Sequence, residues 1–448
     1  MRFVRKPRAL ALCLLFPLTA AGCSGAPSPS SSAAAPTASA VSSAWSSAQM
    51  TTTAVTSAVT TSGKASTTQA SPASARKTTT SRHAASATKA ALATTGKQST
   101  DSGFLNAALF NKGRDAYGGK SINILGDSIS HGANAPNIPD HSYVGLLKKA
   151  VAKKFGVYNY GFTSLLCTFD NPDGTYQELH TIDLAAGEWG HGGGEGAAGH
   201  LGFELYRSLS GQAKMTVTVD RNATDAGRHV KGLYVYYEAG PAQGSFHVEA
   251  AGRTLATVDC RRDKTDTCAR SPYIPLPANL PAKAEIRVVS SGAAPVVITG
   301  FGYAEEPNGV TVQNYSRSGL QLVEVGNDVI QSVCRANVVV LALGFNDAGM
   351  QADHAAFRNK INRIIRSCEA SGAKLAVVDT LWTFQAEKEF YRAELKRAAD
   401  ELGGLYISFT DLAEQNPGMI QDGAHPSVAG HRLVARRICE KLGLPMSE

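Results

Sequence analysis

Apolar positions along the chain fall into two textures. In the first, short β-branched or aliphatic runs at 121–125, 310–312, 338–343, 375–378 and 405–409 read as buried strands. Between and after them lie segments with helical spacing. In 143–155 the apolar positions Tyr143, Leu146, Leu147, Ala150, Val151 and Phe155 share one helix face, and 323–335, 355–371, 387–402 and 427–442 read the same way. Strands alternating with helices predict an α/β domain, a parallel sheet with helices on both faces.

The second texture occupies residues 165–308. Met215, Val217 and Val219 alternate, as do Leu233, Val235 and Tyr237, with Ile286 and Val288, then Val296 and Ile298, following. Helical periods are scarce and Gly/Pro turns frequent, which predicts an antiparallel β-sandwich inserted into the α/β domain. The α/β domain is then built from two pieces, 103–164 and 309–448. Trp189, Tyr206, Tyr234, Tyr236 and Tyr237 are candidates for a sugar-stacking platform on the insert, with about half of them expected in its core by alternation.

The first 102 residues have neither texture. Arg2, Arg5, Lys6 and Arg8 precede an apolar run, 9–21, too short to span a bilayer, so 1–22 reads as a secretory signal peptide. The run ends in Leu-Thr-Ala-Ala-Gly-Cys, which resembles a bacterial lipoprotein box with Cys23 as the lipidation site. Ala20 stands where a larger aliphatic residue is usual, and the alternative is ordinary cleavage that releases a soluble secreted protein. Residues 23–102 are almost entirely Ser, Thr, Ala and Pro, a composition that cannot repay the cost of ordering, and read as a disordered linker. As a flexible coil it would reach roughly 50 Å.

Charge divides along the same boundary. Residues 1–100 hold ten Lys and Arg and no acid, so removing that +10 from the chain's +7 leaves the remainder at −3. A mildly acidic folded part gives no support to a nucleic-acid groove. An exported chain makes disulfides admissible. Cys260 and Cys268, bracketing a polar stretch, are the expected pair, as across a hairpin tip, and the partners of Cys167, Cys334, Cys368 and Cys439 stay open. None has metal-site spacing, and neither a metal nor a cofactor is expected. Residues 187–202, with His191, Glu195 and His200 among many glycines, read as a flexible surface loop.

Four fragments carry the chemistry: Gly126-Asp127-Ser128, Asn314-Tyr315-Ser316-Arg317-Ser318-Gly319, Gly344-Phe345-Asn346-Asp347 and Asp422-Gly423-Ala424-His425-Pro426. In a parallel sheet catalytic groups gather where strands end, and Ser128 stands just past a strand. Its hydroxyl needs a base, and His425 is the candidate, with Asp422 three residues earlier to fix the imidazole tautomer. Ser128 N–H, Gly319 N–H and the Asn346 side-chain amide are the candidate oxyanion donors. Asp347 reads as a structural hydrogen-bond partner, His131 as an exposed loop residue and His431 as structural. Tyr158-Asn159-Tyr160-Gly161 partly mimics the second fragment but lacks the Ser-Gly that follows it.

These fragments resemble the signature blocks of the GDSL/SGNH hydrolase superfamily, esterases, lipases, thioesterases and carbohydrate O-acetylesterases on a flavodoxin-like three-layer α/β/α fold. The resemblance implies Ser128 as nucleophile, Gly319 and Asn346 in the oxyanion hole, and Asp422 and His425 completing the triad. It covers only the α/β pieces. An insert between the first two blocks is similar to that of certain polysaccharide or peptidoglycan O-acetylesterases, where it looks like a carbohydrate-binding module. The expectation is a lipid-anchored serine esterase of the bacterial cell envelope, on the outer membrane facing the periplasm or on the cell surface. It would be monomeric and would deacetylate an acetylated polysaccharide or glycan. Alternatives are an O-acyltransferase or lipase using the same triad, and a catalytically idle glycan-binding lipoprotein.

Overall fold

The computed structural model describes residues 103–111, 119–165, 179–193, 197–221, 230–383 and 385–446. The signal peptide, Cys23, the linker, Cys167 and Glu195 lie outside these residues.

Five strands form the first sheet: β1 (Lys120–Gly126), β14 (Val310–Ser316), β15 (Val338–Ala342), β16 (Lys374–Asp379) and β17 (Leu405–Ser408), ordered β14-β1-β15-β16-β17. Every pairing is parallel. Counting only these strands the order is 2-1-3-4-5, the flavodoxin-like arrangement, in which the chain reverses direction across the sheet between the first and third strands. That switch point leaves a crevice at the carboxyl end of β1, where Ser128 stands.

Both faces of the sheet are covered, so its strands are apolar on both sides. Ile122, Ile124, Val338 and Val340 pack with α1 (Phe104–Asn111), α4 (Tyr143–Phe155) and α10 (Val428–Leu442) through Leu105, Leu147, Val151, Val434 and Ile438. Leu125, Val339, Leu341 and Val377 face the other way, onto α5 (Asn327–Val333), α7 (His354–Ser371) and α8 (Glu389–Glu401). Each such side chain is buried and contributes roughly 1.5–3 kcal/mol relative to exposure. Four shorter helices complete this part: α2 (Ser128–His131), α3 (Ile138–His141), α6 (Phe345–Gly349) and α9 (Thr410–Gln415). No helix among the described residues is long and apolar enough to cross a membrane.

Between α4 and β14 the chain forms two antiparallel sheets. One holds β2 (Gly161–Ser164), β4 (Trp189–Gly193), β5 (Glu204–Ser208), β7 (Gly232–Ala239), β10 (Asp266–Arg270), β11 (Ile274–Pro275) and β13 (Val297–Ala304). The other holds β3 (His180–Leu184), β6 (Lys214–Asp220), β8 (Ser245–Ala250), β9 (Arg253–Asp259) and β12 (Lys283–Ser291), ordered β3-β6-β12-β8-β9. They share an apolar cluster in which Met215, Val217, Ile286 and Val288 meet Leu233, Val235, Tyr237 and Phe301. The first strand of these sheets begins at Gly161, four residues ahead of where the alternating texture becomes legible, and pairs with β13.

The seven-stranded sheet has a second covered face. Tyr234, Tyr236, Cys268, Phe162, Leu201 and Phe203 join the same cluster as Leu322, Val329, Ile330 and Val333 of the α/β part. This corrects the reading of the aromatic residues as a surface platform. Tyr236 and Tyr237 are buried on opposite faces, Trp189 is buried, and Tyr234 lies beneath the Arg270 guanidinium, 4.1 Å from the ring centre. Alternation marks two faces but not what covers the second.

Two further expectations fail for the same reason. Residues 197–203 are not a loose surface segment: Ala197, Leu201 and Phe203 are fully buried, and the Ala198 carbonyl accepts from Gly326 N–H. Cys260 and Cys268 are not disulfide-bonded; both are thiols. Cys260 points into the cluster between the two antiparallel sheets, while Cys268 points into the cluster shared with α5, so the sheet itself separates them.

Candidate active site

The turn from β1 into α2 is built for close packing. A Cβ on Gly126 would lie 2.2 Å from Ser130 Oγ, so only glycine lets strand meet helix here. Asp127 caps α2, accepting from Ile129 N–H at 2.9 Å. Ser128 is then the first helical residue, and its own N–H has no partner within the helix. Asn314 at the end of β14 donates to the Ser130 carbonyl at 3.0 Å, and its amide oxygen is held by Ser316 Oγ at 2.6 Å.

The base reaches this turn from the other end of the sequence. Asp422 Oδ1 accepts from His425 N–H at 2.7 Å and Ala424 N–H at 3.0 Å, while its Oδ2 meets His425 Nδ1 at 2.7 Å. Gly423 between them has φ 84°, a left-handed conformation that glycine adopts without penalty. His425 Nε2 lies 2.8 Å from Ser128 Oγ. A carboxylate on Nδ1 leaves Nε2 free to take the serine proton, the arrangement that activates a hydroxyl nucleophile. Burial would by itself raise the Asp422 carboxyl, but the hydrogen bonds from the His425 N–H and ring and from Ala424 N–H outweigh it and hold the group well below its ordinary range.

Two neighbours steady the loop. Trp382 Nε1–H donates to the Ala424 carbonyl at 2.7 Å, and Asn134 Nδ2 approaches Asp422 Oδ2 at 3.4 Å. His431, in the first turn of α10, accepts from Tyr143 N–H on Nδ1 and donates from Nε2 to the Ala133 carbonyl at 2.8 Å. Burial lowers it to about 4, so it is a neutral tie between α10 and the segment after α2.

Asp347 holds the segments that carry the other two candidate oxyanion donors. Its carboxylate accepts from Leu322 N–H at 2.9 Å and Val323 N–H at 3.2 Å, fastening the loop after Gly319 to the start of α6. Gly319 has φ 75° with open space where a Cβ would stand. Asn346 uses one amide hydrogen on the Leu320 carbonyl at 3.1 Å, which leaves the other for an incoming oxygen.

Buried acid surrounds the nucleophile. Burial pushes the Asp127 carboxyl up to about 7, against the pull of Ile129 N–H, and the Asp347 carboxylate adds to the rise. Burial likewise pushes Asp347 up to about 6 despite its two backbone donors. His131 is not an exposed loop residue: it closes α2, is buried, and is pushed by that burial to about 4. Asn159 is structural too, its amide bonding the Glu305 and Glu306 backbone beside β14.

The site is shallow on its acid–base side. The Asp422 side chain is 46% exposed and that of His425 26%, whereas Ser128 is buried. The insert also approaches the segment that carries Gly319. Glu204 on β5 bonds His191 on β4 at 2.5 Å and lies close enough to Arg317 for its carboxyl to feel that charge. His200, read from the sequence as part of a flexible surface loop, pairs with Glu238 at 2.8 Å.

Sequence reasoning passed over Asn314 as an anchor, Asn134 and Trp382. Asn314 lay inside a recognised fragment, and its place near the carboxyl end of β14 was the usable signal. Trp382 and Asn134 carry none, because each acts through a contact with a residue distant in sequence.

Comparison with known proteins agrees with this geometry. Residues 286–433 match the GDSL-like Lipase/Acylhydrolase family. That span holds the second, third and last fragments but not Ser128, which the antiparallel sheets separate from it in sequence and the fold returns to it. A solved structure titled as a peptidoglycan O-acetylesterase is similar over 77% of this chain and 95% of that one, at 18% identity and a TM-score of 0.53. The Bacillus subtilis protein YxiM covers 58% of this chain and 90% of its own, at 17% identity and a TM-score of 0.29. A family two carbohydrate esterase from Clostridium thermocellum covers 54% and 95%, at 13% identity and 0.26. No curated protein matches the chain. A flavodoxin-like sheet, a serine–histidine–aspartate relay at its switch point and a match to the GDSL-like Lipase/Acylhydrolase family over residues 286–433 together support a serine hydrolase acting on ester bonds.

Proposed function

We propose that this protein removes O-acetyl groups from an envelope polysaccharide or glycan through an acyl-serine intermediate. The observation that carries the reading is the triad's setting. The nucleophile is encased, but Asp422 and His425 stand on an open surface loop; Glu204 of the insert lies close enough to Arg317, on the segment after β14 that leads to Gly319, to feel its charge. Such a site admits an ester on a bulky chain. The likeness to a protein named as a peptidoglycan O-acetylesterase, extending over the insert as well as the α/β part, supports the same substrate class.

In this reading Ser128 Oγ attacks the acetyl carbonyl carbon while its proton passes to His425 Nε2. The carbonyl oxygen takes the negative charge and is met by Ser128 N–H, Gly319 N–H and the Asn346 amide, each worth roughly 3–4 kcal/mol in such sites. As the ester C–O bond breaks, His425 returns the proton to the sugar oxygen. Water, deprotonated by His425, then attacks the acetyl-serine; the Oγ–acyl bond breaks, His425 returns the proton to Ser128 Oγ, and acetate leaves. Asp422 stays ionised and stabilises the imidazolium. The chain would act in the envelope as a monomer, held through acylated Cys23, its linker letting a fixed catalytic body sample a fixed polymer.

The test is acetate release from O-acetylated envelope glycans. Wild-type protein should release acetate and Ser128→Ala should not. Acetate release unaffected by Ser128→Ala would refute the mechanism. Transfer of acetyl to an added sugar in place of release would replace hydrolysis by acyl transfer on the same triad.

A further inference from the structure

Cys334 and Cys368 have no place in the catalytic account, yet they are the described cysteines whose sulfurs meet. Cys368 Sγ donates to Cys334 Sγ across 3.5 Å, the two residues standing 34 apart in sequence. Cys334 caps α5 and Cys368 lies in the last turns of α7; both are buried. The surrounding backbone holds the two ends together independently of the sulfurs. Ser371 Oγ donates to both the Cys334 and the Cys368 carbonyls, and Lys360 Nζ donates to the Val325 carbonyl at the other end of the α5–α7 contact. Cys439, by contrast, sits in the cluster on the opposite face of the parallel sheet, and Cys260 lies between the antiparallel sheets.

We propose that Cys334 and Cys368 are a disulfide site that locks α5 to α7. A bond of about 2.05 Å requires the sulfurs to approach by only about 1.5 Å. The chemistry is thiol–disulfide exchange. One cysteine thiolate attacks an external disulfide and expels one thiol, and the second thiolate attacks the mixed disulfide and expels the other. The pair loses two protons and two electrons, and the external disulfide is reduced to two thiols. Because both sulfurs are buried, the exchange takes place while the chain folds.

The bond would act on the site at a distance. α5 follows the loop that carries Gly319 and Leu322, and α7 follows the α6 turn that carries Asn346 and Asp347. A link at the far ends of these helices restrains the two oxyanion segments against each other. Formation in the cell rests on the proposed location outside the cytoplasm, so the decisive experiment is done in vitro.

The full chain is unfolded, reduced, and refolded with oxidised and reduced glutathione, then alkylated without reductant, digested and mapped by mass spectrometry. A peptide pair joined through Cys334 and Cys368, two hydrogens lighter than its separate thiol peptides, is the expected result. Both cysteines alkylated, or either joined to another cysteine, overturns the proposal. Dithiothreitol should lower the Tm of the oxidised protein by roughly 5–10 °C. It should leave the Tm of Cys260→Ser/Cys268→Ser lowered by the same amount and that of Cys334→Ser/Cys368→Ser unchanged. Equal reductant sensitivity in the latter double variant also overturns it. Acetate release by the refolded protein, scored separately, reports on the functional reading and not on this bond.

Discussion

The two halves of the active site are built in opposite ways. Ser128 sits in a strand-to-helix turn with no slack: Gly126 admits no Cβ, Asp127 is fully buried, and Asn314 clamps α2 from behind. Asp422 and His425 stand on an exposed loop, folded around the aspartate's own hydrogen bonds and pinned by Trp382. Rigidity where the nucleophile must be aimed and openness where substrate must approach are thus divided between segments 297 residues apart. The division teaches that catalysis and stability should respond differently to substitutions in each half.

The largest expected effect is on the encased half. Ser128→Ala should lower kcat/KM on p-nitrophenyl acetate by roughly 10⁴-fold or more while leaving the unfolding transition in place, since the hydroxyl's only described partner is His425. On the open half, Asp422→Asn should cost roughly 10³-fold in kcat, less than loss of the serine, because the carboxylate is half solvated and water compensates part of its role. An equal loss in the two variants would show that the loop is as enclosed as the nucleophile turn.

The third prediction separates stability from activity. Asp127 holds its proton up to about 7, above the ordinary 3.8, so the folded chain binds that proton more tightly than the unfolded one. Its contribution is complete below about pH 4 and is lost as pH rises through about 7, at up to about 1.4 kcal/mol per unit. Asn keeps the cap on α2 without titrating. Urea unfolding of Asp127→Asn should therefore fall less steeply between pH 4 and 7 than that of the wild type, and identical slopes would remove Asp127 as the cause. Smallest is Trp382→Phe, which deletes one hydrogen bond to the Ala424 carbonyl and should cost about 0.5–1.5 kcal/mol of loop order. That loss should be read as a several-fold decrease in kcat with little change in Tm.

How much of this was legible in the sequence follows the same division. Ser128, Gly319, Asn346, Asp422 and His425 announce themselves by residue type beside strand ends, and the relay Ser128–His425–Asp422 closes at hydrogen-bond distance in the structure. The helices and parallel strands were legible because each buried run has its own period. What pattern could not supply was the identity of the opposite surface. β7 reads as a strand with one core face, but Phe162 and Gln313 meet Tyr236 on its second face and Tyr273 and Arg270 cover Tyr234, all distant in sequence, so Tyr234 and Tyr236 leave the surface. The same blindness paired Cys260 with Cys268 by proximity along the chain, where the sheet between them forbids contact. It also left Cys334 and Cys368 unpaired, because helix packing and not spacing brings them together. His131 looked exposed only because four residues of helix after a strand carry too short a pattern to show which face is buried.

The central claim is that fragments on either side of the inserted sheets make one nucleophilic site. The most direct measurement is reaction of the intact protein with a fluorophosphonate, followed by mass spectrometric mapping of the adduct. A single adduct on Ser128, lost in His425→Ala, is the predicted result. An adduct on a different serine, or ester hydrolysis persisting in protein whose Ser128 is fully blocked, would contradict it.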